Sequence, residues 1–503
     1  MDPDGERRTS ELYATFTGET CNYAALVHRK KREILTTSLA AETERLANLL
    51  AALAASLAGG VQFSRADLAD ALIEVMVYFP VYRSYIAPDR KALSVADVAH
   101  VEFAIHLSCE RRPDLPLEIF ALIRGMLVKP KLNRKAREFI YRFQQLTGPA
   151  MAKGEEDTAF FCFNRLISAN EVGGDPAGFG VRPEAFQTFC QQLHQNWPAT
   201  MLSSSTHDTK RSEDVRARLA LLTEIPDEWA RTVRHWSSLT ARHRRDELPD
   251  RNTEYLFYQT VAGAWPIALD RVTAFMEKAV REAKQHTNWI KPSQPYEKTL
   301  NHFVSEALRD PDFTTEVERF VGALTDAGYI NSLGQTLVKL TGPGVPDIYQ
   351  GCDLWNFSLV DPDNRRPVDF PLRQRLLARA KMISCEQAWL ERHDGLAKLW
   401  MLRRVLSLRS RQPQLFAGPV ELLPARGAKA NHVVAFLSGN ELITIVPRFL
   451  MKLKNDWADT TLSLPAGNWH NEFTSEVLSG TLNAAAFFQK FPVALLTRKE
   501  RKQ

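Results

Sequence analysis

The sequence has 503 residues, and its hydrophobic content of 45% is enough to bury more than one core. Lysine and arginine total 64 against 59 aspartate and glutamate residues, so a net charge of +5 is spread thinly and gives no reason to expect a nucleic-acid partner. The six cysteines form no CxxC pair, which argues against a disulfide framework and favours a reducing cytoplasm. The amino terminus lacks a signal-peptide pattern, and no run of about 18 apolar residues suggests a membrane span. The 12 histidines show no HExxH pair, so we expect no metal, and we expect no cofactor.

Residues 34 to about 147 show apolar residues at the three- and four-residue spacing of helices. Ser64 is a candidate N-cap for one of these helices. From 138 to 180 the chain passes from helix into a long polar and aromatic segment that is rich in glycine. Long irregular loops in compact domains are often functional, so we predict that this segment borders the site.

Two short apolar strands are predicted at 199–205 and at 345–350, separated by the mostly helical residues 211–341. This alternation predicts an α/β fold with a parallel sheet or barrel. After about residue 413 the pattern changes to short alternating strands broken by glycine, asparagine and proline, which predicts an all-β domain. The predicted domains are therefore 1–412, with a helical insertion at about 34–147, and 413–503.

In a (β/α) barrel the catalytic groups lie at the carboxyl ends of the strands, and His207, Asp208 and Tyr349 have such positions. The segment that follows Tyr349 is dense in aspartate, arginine and aromatic residues, which suits a polyol substrate. An aspartate after a strand is often only the N-cap of the next helix, here beginning near Ser212, so this alternative stays open. For Arg365 and Arg366 we favour a structural role, as partners of Asp361 and Asp363.

The phrases "FPVYRSYI", "LTGPAMAKGEEDTAFFCFNRLISANEVGGDP", "SSSTHDTKRSEDVRARL", "DRNTEYLFYQT", "LTGPGVPDIYQG" and "SLVDPDNRRPVD" resemble those of maltooligosyltrehalose synthase. The matches run in order from about residue 12 to 497. This family belongs to the α-amylase superfamily, so the resemblance implies the later part of a (β/α)₈ barrel with large helical insertions, followed by a carboxyl-terminal β-sandwich. It also implies an isomerase, an intramolecular glucosylmutase of trehalose biosynthesis that converts the reducing-end α-1,4 linkage of a maltooligosaccharide to α,α-1,1.

Carried over by motif, Asp208 resembles the superfamily carboxylate that stabilises the transition state, and His207 resembles its neighbouring sugar ligand. Hydrogen bonds to ring hydroxyls that tighten in an oxocarbenium-like transition state suit both roles. The resemblance places further substrate-binding residues in motifs that flank the cleft: Lys153, Asn170, Glu171, Tyr82, Arg83, Lys210, Arg211, Asp347 and Tyr349.

A retaining rearrangement also needs a nucleophilic carboxylate and an acid/base carboxylate about 5 Å apart. In the family both follow earlier barrel strands, and neither motif is found in this sequence. Glu171 is a poor substitute, because the family has a glutamate there beside its full catalytic set. Glu156 and Asp157 are better explained as local structural groups.

Three functions remain open at this stage: a synthase whose missing strands come from a separate chain, a non-catalytic maltodextrin-binding protein, and a fragment without function. We expect the chain by itself to be inactive, to bind maltodextrins weakly and to aggregate, because the edges of a partial barrel would stay unpaired.

Overall fold

The structure, a computed structural model, describes residues 1–19, 22–56, 63–87, 93–128 and 133–498. The chain divides into two compact units. The larger contains residues 1–19, 164–278 and 294–503, and the smaller contains residues 20–163 and 279–293. Among the described residues, no helix combines the length and the apolar composition that crossing a bilayer requires.

The smaller unit is helical, as the apolar periodicity predicts. After α1 (Glu6–Thr17), which belongs to the larger unit, the chain forms α2 (Tyr23–Thr36), α3 (Ala40–Ala55), α4 (Arg65–Val77), α5 (Val95–Arg111), α6 (Leu117–Val128), α7 (Arg134–Met151) and α8 (Phe160–Cys162). Ser64 caps α4 as predicted, since its hydroxyl accepts a hydrogen bond from the Asp67 N–H at 3.0 Å. Apolar faces of α3 to α7 share one core, in which the Phe79 and Phe143 rings meet edge to face.

The predicted glycine-rich loop is wrong for residues 152–162. Helix α7 continues into a π-helical stretch, Ala152–Ala159, and then into α8. Residues 158–163 are buried, and packing of a buried face stabilises a helix more than the propensity of its residues does. Irregular backbone therefore runs from residue 163 to 182, and Lys153 lies on a helix.

The larger unit contains the two predicted strands, which are shorter than expected. Strand β1 (Met201–Leu202) pairs in parallel with β2 (Val345–Pro346). The helices of this unit, besides α1, are α9 (Pro183–Asn196), α10 (Glu213–Ala220), α11 (Pro226–Thr240), α12 (Arg251–Ala264), α13 (Leu269–Ala283, which ends in the smaller unit), α14 (Gln294–Arg309), α15 (Pro311–Thr341), α16 (Phe370–Met382), α17 (Cys385–Leu390) and α18 (Leu396–Arg411). The strand–helix–strand order predicted for residues 199–350 is thus confirmed, and the class is mixed α/β.

Short antiparallel strands follow residue 413, as predicted. They are β3 (Val420–Leu422), β4 (Ala425–Arg426), β5 (Val433–Ser438), β6 (Leu442–Pro447), β7 (Thr461–Ser463), β8 (Trp469–Asn471), β9 (Val477–Leu478), β10 (Thr481–Asn483) and β11 (Ala494–Arg498), with the short helix α19 (Leu450–Leu453) between β6 and β7. Six of them form a sheet of order β3-β5-β6-β11-β8-β9, and three form a sheet of order β10-β7-β4.

The six-stranded sheet is covered on both faces, as the packing of its central strand β6 shows. Leu442 and Val446 belong to a core shared with α15 and α18, whereas Ile443 and Ile445 belong to a core shared with Leu462 of the smaller sheet. Alternate residues of a strand point to opposite faces, so this strand is buried along its whole length. The boundary at residues 412 and 413 and the sandwich architecture stay predictions, because the larger compact unit includes residues on both sides of that boundary.

Candidate active site

The parallel pair β1–β2 brings two predicted site segments to one sheet edge. The Val345 N–H donates to the Thr200 carbonyl at 2.8 Å, and the Asp347 N–H donates to the Leu202 carbonyl at 2.8 Å. Because parallel strands end at the same edge, the turn after β1 and the segment after β2 leave the sheet side by side. The Ser203 hydroxyl lies 3.4 Å from the Asp347 carboxylate across this edge.

His207 and Asp208 lie on a tight turn at residues 206–209, a few residues after β1, and both are exposed. The turn is closed by the hydroxyls of its own threonines: the Asp208 N–H donates to Thr206 Oγ1 at 3.1 Å, and Thr209 Oγ1 donates to the Thr206 carbonyl at 3.0 Å. The Asp208 side chain is 52% exposed, and its carboxylate lies 3.8 Å from Lys210 Nζ. A carboxylate in this position is open to a ligand.

Asp208 is not the N-cap of the next helix, so the structural alternative raised by the sequence is wrong. Ser212 occupies the N-cap position of α10. Its backbone N–H donates to the Ser358 carbonyl at 2.9 Å, and its hydroxyl donates to the Asn356 carbonyl. Nothing in the capping of α10 therefore accounts for an aspartate at position 208.

Glu171 is buried, and its carboxylate accepts hydrogen bonds from backbone N–H groups instead of facing solvent. Its Oε1 accepts from the Lys210 N–H at 2.8 Å and from its neighbour Val172 at 2.9 Å, and its Oε2 accepts from the Arg211 N–H at 3.2 Å. A carboxylate that accepts several N–H groups is a strong anchor. Glu171 thus secures the end of the turn that carries Asp208, and its contact with substrate stays a prediction.

The neighbouring predicted substrate ligands Asn170, Lys210 and Arg211 are also buried. The Arg211 guanidinium donates to the Ile167 carbonyl at 3.2 Å and lies over the Phe275 ring, 5.5 Å from its centroid. Burial lowers the pKa of Arg211 to about 10, although Glu171 opposes this shift. Their burial gives no support to the prediction that these three side chains contact sugar, which stays untested.

The segment after β2 is braced by internal hydrogen bonds. The Tyr349 hydroxyl donates to the Asn364 carbonyl at 3.1 Å. The Asp363 carboxylate accepts hydrogen bonds from Nε and Nη2 of Arg271, at 2.7 and 2.8 Å, and from the Leu359 N–H at 2.7 Å. Burial raises the pKa of Asp363, but these contacts outweigh it and leave the pKa below its ordinary value.

The arginines of this segment have the structural partners that the sequence favours. Arg366 pairs with Asp363 at 3.1 Å, and Arg365 lies 3.9 Å from Asp361. Arg365 also donates to the His207 carbonyl at 3.3 Å. Part of this segment therefore supports the turn after β1.

A buried charge cluster, which the sequence analysis did not identify, lies beneath the start of α10. Lys398 Nζ is 2.7 Å from Glu213 Oε1 and 3.0 Å from both oxygens of Asp214, and Lys339 Nζ contacts Glu213 Oε2 at 3.3 Å. Lys339 and Glu213 both reach Ser204, on the turn after β1. Burial works to raise the pKa of Glu213, but Lys398 and Lys339 together lower it to about 2.

The other predicted ligands, Tyr82, Arg83 and Lys153, belong to the smaller unit. The Tyr82 hydroxyl donates to Glu156, and the Arg83 guanidinium lies 4.7 Å from the centroid of the Tyr85 ring. Lys153 Nζ contacts Asp157 at 2.6 Å, one helical turn away. Glu156 and Asp157 thus have structural partners within the smaller unit, and contact of Tyr82, Arg83 and Lys153 with substrate stays a prediction. Among the described residues, no group of three or more His, Cys, Asp and Glu side chains is placed to hold a metal ion.

Comparison with known proteins gives two kinds of relative, while no family model matches the chain. A Mycobacterium tuberculosis protein, named provisionally as a maltooligosyl trehalose synthase, is 37% identical over 366 residues, which are 71% of this chain and 45% of that protein. The structure of maltooligosyltrehalose synthase from Arthrobacter ramosus covers 99% of this chain and 61% of its own, with 34% identity and a TM-score of 0.86. A Sulfolobus tokodaii structure, described as a hypothetical maltooligosyl trehalose synthase, covers 98% of this chain and 60% of its own, with 26% identity and a TM-score of 0.74.

The chain spans about half the length of the curated relative and about three fifths of the solved structures. The match by sequence and the match by structure point to the same group of proteins, and both are partial, in agreement with the resemblance seen in the motifs. The chain is therefore related to the maltooligosyltrehalose synthases and corresponds to part of their length.

Proposed function

We propose that this chain supplies the later barrel strands, the helical insertion and the carboxyl-terminal β-sandwich of a maltooligosyltrehalose synthase. In this proposal the substrate is a maltooligosaccharide, and the reaction converts its reducing-end α-1,4 linkage to α,α-1,1. Asp208 stabilises the transition state, and His207 binds the sugar beside it. The shared core between the six-stranded and three-stranded sheets supports the β-sandwich.

One observation carries the proposal: Asp208 lies exposed on a braced turn at the carboxyl end of a parallel strand. Several neighbouring carboxylates are already engaged: Glu171, Glu213 and Asp214 are buried in contacts with the chain, and the partly buried Asp363 is paired with Arg271. Asp208 is held in place through its backbone and keeps its side chain open. A fixed carboxylate with this exposure can accept hydrogen bonds from sugar hydroxyls, and such bonds strengthen as positive charge develops on the sugar ring.

The nucleophile and the acid/base group come, in this proposal, from a segment that corresponds to the earlier barrel strands. That segment is either part of a longer polypeptide or a separate chain. It would pair with the open side of the β1–β2 sheet, which has two strands in the described part of the chain. Met201 and Val345, which are register partners in this sheet, are 70% and 50% exposed. The exposure of these apolar side chains supports an added strand or layer.

Reconstitution tests the proposal. The 503-residue chain, co-expressed with a segment carrying all the barrel strands that precede β1 in a related synthase, is expected to convert maltopentaose to a trehalose-ended product, and the chain without that segment is not. In the complex, Asp208→Asn should lower kcat about a thousandfold, because the change is nearly isosteric and removes the charge. The exposed Asp394, changed to Asn, serves as a matched control and should leave kcat unchanged.

Three results would contradict the proposal. Product formed by the 503-residue chain alone would show that it needs no complementing segment. Full activity of the Asp208→Asn complex would remove Asp208 from the mechanism. Micromolar affinity of the lone chain for maltopentaose by titration calorimetry, together with an inactive complex, would favour a non-catalytic maltodextrin-binding protein.

A further inference from the structure

Asn364 is a buried residue that contacts the turn carrying Asp208 from outside that turn. It lies on the single 3₁₀ turn Asp363–Arg365. Its side-chain Nδ2 is 3.1 Å from the His207 carbonyl, 3.3 Å from the Thr206 carbonyl and 3.5 Å from the Thr209 carbonyl. A side-chain amide has two N–H donors, so three acceptors share them.

The backbone of Asn364 is itself held firmly. Its carbonyl accepts the Tyr349 hydroxyl, and its neighbour Asp363 is fixed by the bidentate contact with Arg271. The amide therefore projects from a rigid base. Within the described residues, one other side chain, that of Arg365, donates a hydrogen bond to the His207 carbonyl. Arg365 is about half exposed, so it constrains the turn more weakly.

We propose that Asn364 is a positioning residue whose amide fixes the direction of Asp208 and His207 through their backbone. This inference rests on the proposed function of Asp208 and deepens it. The three carbonyls converge on Nδ2, which sets the path of the chain from Thr206 to Thr209. A group that stabilises a transition state must be held in its productive geometry by such surrounding contacts, because a displacement of about 1 Å can cost about a hundredfold in rate.

The chemistry of the amide makes the inference testable with a nearly isosteric change. Asn364→Asp keeps the size of the side chain, removes both N–H donors and directs a carboxylate at three carbonyl oxygens. Asn364→Ala removes the donors without adding charge. If the aspartate variant does not fold, the alanine variant replaces it, and the same changes in hydrogen exchange and kcat are expected. Asn471→Asp is the matched control: Asn471 is also buried, but its Oδ1 accepts hydrogen bonds from the Phe473 and Thr474 N–H groups, and an aspartate oxygen can still accept them.

Hydrogen exchange measured by mass spectrometry provides a readout that does not depend on activity. The experiment uses the full 503-residue chain, with or without the complementing segment according to which form purifies. In Asn364→Asp we expect the backbone amides of residues 208–212 to exchange about tenfold faster, while helices and sheets elsewhere keep their protection. Asn471→Asp should leave exchange at residues 208–212 unchanged. Unchanged exchange in this segment for the Asn364 variant would overturn the inference, and so would uniformly faster exchange along the chain.

Kinetics of the reconstituted complex give the second readout. Asn364→Asp should lower kcat about a hundredfold with KM within about threefold, because the transition-state contact is misplaced while most binding contacts remain. Equal losses from Asn364→Asp and Asn471→Asp would mean a merely structural role. If the unsubstituted complex is inactive, the proposed function fails, whereas the exchange experiment still decides whether Asn364 positions the turn.

Discussion

Glu224 is a buried carboxyl group whose ionisation should be visible in the stability of the protein. Its Oε2 accepts the Met451 N–H at 2.7 Å. Burial raises the pKa of Glu224 to about 7, although the Met451 and Lys452 N–H groups oppose the shift. In the unfolded chain the same carboxyl group loses its proton near its ordinary value. Between these two values the folded state holds more protons, so stability falls as pH rises.

We expect Glu224 to stabilise the fold fully below its ordinary pKa and to lose that contribution as pH rises through about 7. The shift corresponds to about 3 kcal/mol. Urea denaturation at pH 5 and pH 8 gives the free energy of unfolding of the parent chain and of Glu224→Gln, whose side chain stays neutral. The change in their difference between the two pH values measures the contribution of Glu224. The variant should gain stability relative to the parent at pH 8. As a control, Glu421 is exposed, and Glu421→Gln should have the same stability as the parent at both pH values. A Glu224→Gln chain with the stability of the parent at both pH values would refute the raised pKa of Glu224.

The sequence predicts the position of a residue where the pattern is local. Ser64 caps a helix as its place before that helix predicts. His207 and Asp208 lie in a turn after a strand as predicted, and their roles stay predictions. The bonds that join Asn364 to Thr206 and His207 cross 158 and 157 positions, so no local pattern records them. Glu171 was singled out, but its burial against the Lys210 N–H depends on a contact across 39 positions. Burial of a polar side chain is decided by partners that lie far away in the sequence.

Three helices are joined by the buried charge cluster, and Lys398 of α18 is its centre. Glu213 and Asp214 begin α10, and Lys339 lies in the last turn of α15. All four side chains are buried. Two carboxylates out of water need their cationic partners, because an unpaired charge in the interior costs far more than a surface ion pair contributes.

Replacing Lys398 by methionine should destabilise the larger unit by about 3–5 kcal/mol, since it leaves Asp214 without its cation. Urea or thermal unfolding followed by circular dichroism measures the loss. The second change Asp214→Asn, made together with Lys398→Met, should recover part of it. As a control for the loss of a lysine, the exposed Lys381→Met of α16 should stay within about 0.5 kcal/mol of the parent. A Lys398→Met chain as stable as the Lys381→Met chain would contradict the importance of the cluster.

At this scale periodicity predicts the type of an element better than its limits. The helices of the smaller unit follow the three- and four-residue spacing of their apolar residues. Strands β1 and β2 lie where they are predicted, but each has two residues in place of six or seven. A few residues after β1, the Thr206 and Asp208 N–H groups donate to threonine hydroxyls of their own turn. The π-helical stretch after α7 was predicted as loop, since its glycine and charged residues resemble a loop when their packing is unknown.

For the molecule as a whole, composition and motifs predict the mixed α/β class and the related family. They do not predict the division into compact units, which joins residues 20–163 with residues 279–293. That division depends on contacts between distant segments, whereas the predicted boundary at residue 413 rests on a change of local pattern. The two criteria describe different properties of one chain.

We expect the parallel sheet of β1 and β2 to determine whether the whole chain is soluble or aggregates. Met201 and Val345 are directly paired across β1 and β2, and both expose apolar side chains. Strands with open edges and exposed apolar residues promote association between chains unless another segment covers them. We therefore expect the 503-residue chain to aggregate by itself and to become soluble when it is co-expressed with the complementing segment.

Substituting both paired residues with lysine separates this cause from general insolubility. The Met201→Lys, Val345→Lys chain should be more soluble alone, because charge on an exposed strand opposes association, and it should no longer assemble with the complementing segment. Val477→Lys is the matched control: Val477 lies on the short strand β9 and is about as exposed as Val345, so this change should alter neither property. Sedimentation velocity and co-purification of the complementing segment measure the two outcomes. A parent chain that is a soluble monomer with cooperative unfolding, or a doubly substituted chain that still assembles, would place the interface elsewhere. Because the lysines add charge without removing core packing, a loss of assembly in a still folded chain identifies the β1–β2 sheet as the surface that the earlier strands cover.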